Sequence, residues 1–112
     1  MERRLSAVLI ADVVGYSRLT QSDEEGTRSR FNDVLDAIIK PAITRSGGRL
    51  IKNMGDGLLV EFASVVNAMR TAIDIQKALA ERNQTLPAAE QLSFRVGINL
   101  GDIIVEGDDI QG

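Results

Sequence analysis

Two aspartates stand at places where apolar runs give out. Asp12 closes "AVLIAD", and Asp56 sits in "MGDG" between "GRLIKN" and "LLVEF". Lys52, Arg95 and the acidic pair Asp108 and Asp109 in "EGDDIQG" complete the charges able to share a site with them. The chain contains no histidine and no cysteine. Disulfides, thiolate nucleophiles, zinc sites built on His or Cys and every triad with an imidazole base are therefore excluded. Carboxylates, Lys, Arg, hydroxyls and an oxygen-liganded metal remain. Such a ligand set favours hard cations, above all magnesium or manganese, whose usual enzymatic company is phosphate.

Taken singly, each charge also has a structural reading. Asp12 could cap a helical turn after a strand, and Asp56 could simply turn the chain. Lys52 and Arg95 could protect a solvent-facing sheet surface. "EGDDIQG" reads as a solvated turn, since it lacks the ligand alternation and terminal Glu of a calcium loop. Only their arrangement in space can separate these readings from chemistry.

The elements that must arrange them follow from periodicity. "AVLIADV" reads as a strand buried on both faces, followed by a glycine-containing turn, "VVGYS". From Ser22, "SDEE" offers a capping box, and Phe31, Val34, Leu35, Ile38, Ile39, Ala42 and Ile43 recur at helical spacing. Pro41 predicts a kink or early end, with "SGG" closing the segment. Asp-Gly between "GRLIKN" and "LLVEF" predicts a hairpin whose turn residues accept positive φ. Ser64 starts a second helix, with Val65, Ala68, Met69, Ala72, Ile73, Leu79 and Ala80 as one apolar stripe. After a polar loop to about Gln91, strands are expected at Phe94 to Leu100 and Ile103 to Glu106, separated by "GD".

Strand, helix, strand, strand, helix, strand, strand is the α+β, ferredoxin-like split βαβ plan: an antiparallel-containing sheet with two helices on one face. In it the first strand and the first hairpin lie side by side at the centre, so Asp12 and Asp56 converge on one spot. Two carboxylates there make a divalent-cation site. The turn after the first strand adds backbone N–H groups at a helix start, suited to phosphate. The residues by themselves lead to a metal-assisted phosphate-handling site.

Composition narrows the partners. The 112 residues are 44% hydrophobic and 26% charged, without repeats, which suits one domain. With 13 basic and 16 acidic residues, a net charge of −3 and no basic stripe, nucleic acid is not an expected partner. No apolar run approaches the roughly 20 residues that span a bilayer, and the N-terminus lacks a signal-peptide pattern, so a cytoplasmic domain is expected.

"LIADVVGYS", "GGRLIKNMGDGLLVEF" and "FRVGINLGDIIVEGDDIQG" together resemble, in order and separation, the motifs of the class III adenylate/guanylate cyclase catalytic domain. The resemblance covers nearly the whole chain. It implies that Asp12 and Asp56, with the Val13 carbonyl, hold two Mg²⁺ or Mn²⁺ ions. By the same resemblance Gly15 and Tyr16 cradle phosphates through backbone amides, and Arg95 meets the β- and γ-phosphates. Tyr16 stands where the family usually has Phe. Lys52 and Asp109 match the pair that reads the base; guanylate cyclases typically carry Glu and Cys there, so the implied substrate is ATP. The family works as a head-to-tail dimer, so a homodimer with shared sites is implied.

The resemblance also implies a catalytic domain over residues 1–112 that is incomplete at its C-terminal side. The Asn and Arg that serve the family's transition state after "D-I-x-G" have no counterpart here, so the fragment alone is expected to be inactive. Alternatives are a regulatory cyclase-homology module for nucleotide binding or dimerisation, a diguanylate cyclase or polymerase-palm relative, and a purely structural dimerisation domain. The second is disfavoured by "MGDG" in place of "GGDEF".

Overall fold

Alternation decides the first strand. In the computed structural model, which describes the backbone of residues 2–106 and 109–111 and the side chains of residues 5–101, β1 runs Glu2–Val13. From Ala7 onward its odd residues Ala7, Leu9, Ala11 and Val13 are buried, whereas Ile10 is 45% exposed; Leu5, nearer the strand's start, is exposed. One face of β1 therefore meets the core and the other is open, a correction to the expectation of a strand buried on both faces. Helices α1 (Tyr16–Ser22) and α2 (Glu24–Val34) follow, then a π turn, Leu35–Ile39, and α3 (Lys40–Arg45). Strands β2 (Arg49–Asn53) and β3 (Gly57–Phe62) form the hairpin, and α4 spans Val65–Gln84. A short 3₁₀ turn, Ala88–Glu90, leads to β4 (Phe94–Glu106) and β5 (Asp109–Gln111).

The sheet order is β2-β3-β1-β4-β5, with every pairing antiparallel. β3 is inserted between β1 and β2, and β1 between β3 and β4, which is the expected split βαβ arrangement. Residues Ala7, Leu9 and Ala11 pair with Phe62, Val60 and Leu58. All six are buried in one cluster with Phe31, Val34, Ile39 and Ile43 of the first helical run and Ala68, Ile75 and Leu79 of α4. The helices thus share one face of the sheet and leave the other uncovered by helix.

Several boundaries differ from the sequence expectation. The first helical run starts at Tyr16 and breaks at Asp23, whose carboxylate accepts the Gly26 N–H at 3.0 Å. Asp23 is the N-cap, and Ser22 is the last residue of α1, because a side-chain oxygen three residues before a free N–H is what the new helix start requires. Pro41 does not end the helix. The π turn immediately before α3 absorbs the hydrogen bond that proline cannot donate. The chain then leaves α3 through Gly47 at φ 68°, with Gly48 N–H donating to Ile43 O at 2.9 Å, a Schellman closure.

On α4 the buried stripe is Ala68, Thr71, Ile75 and Leu79, while Met69 and Ile73 are about half exposed. The two expected C-terminal strands are one: β4 continues through Gly101 and Asp102, paired to Ser6 and Leu5 of β1. A "GD" pair within a strand paired along its length does not force a turn. Among the described residues, no helix is long and apolar enough to cross a membrane.

Candidate functional site

The open face of the sheet can be read as rows of paired residues. Gly57, Asp12 and Arg95 form one row across β3, β1 and β4. The next row along the strands is Lys52, Leu59, Ile10 and Gly97, and the one beyond it Arg49, Glu61, Val8 and Asn99. Paired residues project to the same side, and successive same-face rows lie roughly 7 Å apart. Lys52 and Arg95 therefore stand on the same surface as Asp12, separated by about one row.

Asp56 is fixed beside Asp12 through the backbone. Val13 N–H donates to Asp56 O at 2.9 Å, locking the hairpin tip onto the end of β1. The tip itself is shaped by Asn53, whose side-chain oxygen accepts Gly55 N–H at 2.9 Å, and by Gly55 at φ 87°. Asp56 does not adopt positive φ, since among the described residues only glycines do. The positive-φ position of the turn is thus Gly55, a correction to the expectation that Asp56 and Gly57 supply it.

Gly57 is needed for a different reason. A Cβ there would come within 2.8 Å of Ala11 O and 3.3 Å of Asp12 Cβ. The sequence pattern did not single out this contact, although a glycine facing an aspartate in an adjacent strand is its signature. Sequence reasoning also passed over Glu61. Its carboxylate is buried on the open face, accepts Ser6 Oγ–H at 2.8 Å and pairs with Arg49 at 3.4 Å.

Asp12 is bound to Arg95, Nε to Oδ1 at 3.1 Å. Both side chains are accessible, at 45% for Asp12 and 73% for Arg95. Gly15, at φ 67°, is the N-cap of α1 and Tyr16 its first residue, partly buried against the core. First-turn N–H groups of a helix have no intrahelical acceptor, and here they open directly after the strand that ends in Asp12 and Val13. Asp109 begins β5, paired to Glu106, and β5 also approaches β2 with Cα atoms within 8 Å, so the strands bearing Lys52 and Asp109 are neighbours in one chain. The Asp109 side chain and the whole of Asp108 lie outside the described residues.

The donor set suits a hard cation. Asp12, Asp56 and the Val13 carbonyl all offer oxygen donors, and among the described residues no group of three His, Cys, Asp or Glu side chains gathers at any point. Mg²⁺ is commonly held by one or two carboxylates together with substrate phosphates and waters rather than by an all-protein cage. Two carboxylates leave those positions free.

No protein-family model matches the chain. Over all 112 residues it is 45% identical to a Rhizobium meliloti (strain 1021) protein provisionally named adenylate cyclase 3, covering 19% of that protein. It is 30% identical over its whole length to an adenylate cyclase of Streptomyces coelicolor, covering 28% of it. Among solved structures, an adenylate/guanylate cyclase/hydrolase from Silicibacter pomeroyi superposes with a TM-score of 0.91 at 42% identity, over 99% of this chain and 64% of that one. The fold and these relatives support a fragment of a class III adenylate/guanylate cyclase catalytic domain. The chain spans less than a third of either curated relative and about two thirds of the solved domain.

Proposed function

We propose that the chain is the larger part of a domain that converts ATP to 3′,5′-cyclic AMP and pyrophosphate. The observation that carries this reading is the Val13–Asp56 hydrogen bond, which seats the hairpin tip at the end of β1 next to Asp12, itself paired across the sheet with Arg95.

Asp12, Asp56 and the Val13 carbonyl would hold Mg²⁺ or Mn²⁺, two ions per site. Bound there, the ions supply activation of the ribose 3′-hydroxyl for attack on the α-phosphorus and charge neutralisation along the phosphate chain. Arg95 offers a guanidinium fork to the β- and γ-phosphates. The N–H groups at Gly15 and Tyr16 orient the same phosphates from the start of α1. Lys52 donates to an adenine ring acceptor and Asp109 accepts from the exocyclic amine, a pattern that guanine inverts. The domain works as a head-to-tail homodimer in the cytoplasm, each base-reading pair serving the partner's metal site. In the absence of the family's transition-state Asn and Arg, residues 1–112 on their own give negligible turnover.

The test is turnover of ATP and GTP by a chain extended to the length of the solved relative. Asp12→Asn and Asp56→Asn should each lower kcat by about a hundredfold or more with the fold intact, since each removes charge placed for the transition state. Full activity in either variant would sink the assignment. Lys52→Glu with Asp109→Cys should move the ATP to GTP ratio of kcat/KM toward GTP; an unchanged ratio would remove the adenine reading and leave the metal site standing.

A further inference from the structure

The Asp12 carboxylate proposed to bind a cation is already occupied by a side chain of the same protein. Arg95 Nε donates to Asp12 Oδ1 at 3.1 Å, across the β1–β4 register in which the two residues are directly paired. The arrangement is built by the sheet. Asp12 and Arg95 face each other on neighbouring strands, so no rotation of the backbone is needed to bring them together. Gly57, on the other side of Asp12, has no side chain to compete.

A divalent cation held by Asp12 and Asp56 would need the Asp12 oxygens and would repel a guanidinium held against them. Arg95 and the cation are thus alternative partners of one carboxylate. Arg95 is largely in water and Asp12 nearly half so, which keeps the ion pair weak enough for a cation to displace. We propose that Arg95 is a placeholder: it neutralises and orients Asp12 in the metal-free protein, and cation binding releases it to face the phosphates. This rests on the metal site proposed above and adds an order to it. The phosphate anchor becomes available only where the metal has arrived, so a metal-free nucleotide meets an arginine that is engaged elsewhere.

Arg95 is a positioning residue in this role, and its effect is read in metal binding without turnover. Mn²⁺ alone is titrated into the 112-residue chain and followed by the electron paramagnetic resonance of the free ion. Arg95→Gln should bind Mn²⁺ roughly threefold to tenfold more tightly than the unaltered chain, the size expected for losing an exposed ion pair and a nearby positive charge. In parallel, Mg²⁺ should shift the Arg95 Nε–Hε resonance and speed its exchange with water.

Equal or weaker Mn²⁺ affinity in Arg95→Gln, or an Arg95 resonance unmoved at saturating Mg²⁺, overturns the placeholder role while leaving the metal site intact. Asp12→Asn separates the two claims: retained Mn²⁺ affinity in that variant defeats the metal site itself, and the placeholder with it. Failure of both the unaltered chain and Arg95→Gln to bind Mn²⁺ does the same. Should Arg95→Gln not fold, Arg95→Lys keeps the charge but not the Nε donor, and is expected to show a smaller gain in the same direction.

Discussion

At the scale of single residues, the site depends on glycines as much as on charges. Gly57 stands opposite Asp12, and a methyl group there would press on Ala11 O at 2.8 Å, a backbone atom that cannot rotate away. Gly57→Ala should therefore cost about 1–3 kcal/mol, as overpacking against fixed structure does. Thermal unfolding would show the loss. The same substitution should also weaken Mn²⁺ binding, because the strand must move beside the Asp12 carboxylate; unchanged stability and unchanged metal binding would mean the strands have room that the geometry denies them.

At the scale of elements, the first crossover is a chain of short helical pieces, each closed by a local device. Asp23 starts α2 through its carboxylate, the π turn accommodates Pro41, and Gly47 ends α3 at positive φ. Asp23, itself exposed, also pairs at 3.5 Å with Arg30, whose side chain is largely buried. Asp23→Ala should cost about 1 kcal/mol, the usual value of a lost N-cap. Asp23→Ser, which can still accept the Gly26 N–H, should recover most of it. Denaturant melts of the two variants distinguish the cap from the ion pair, since serine restores only the former.

For the molecule as a whole, one face of α4 is decisive and its neighbour is not. Ile75 is 1% exposed within the central cluster, whereas Ile73, two residues away, is 52% exposed. Ile75→Ala should cost about 2–5 kcal/mol by leaving a cavity under β1. Ile73→Ala should change stability by no more than about 0.5 kcal/mol, as surface substitutions do. Equal losses at the two positions, measured by thermal unfolding, would show that Ile73 is covered in solution. Val66, Met69 and Leu100 are exposed on the same scale, so several apolar side chains besides Ile73 face water in the 112-residue chain.

Periodicity and turn chemistry carried the element types, the hairpin and the split βαβ order, because each rests on local geometry: alternation for strands, three-four spacing for helices, glycine at turns. The absence of histidine and cysteine limited the chemistry before any coordinates, and the motifs that hold Asp12, Asp56 and Arg95 are readable in one line of text. Pairing between distant strands was not. That Asp12 faces Arg95 at 3.1 Å, that Gly57 must be bare to let Asp12 stand beside it, and that Glu61 is buried with Ser6 all depend on register across separations of 45 to 83 residues. Register is a property of two strands at once, set by which faces the core selects. For the same reason "GD" at 101 and 102 looked like a turn and proved to be strand: local propensity lost to pairing along β1.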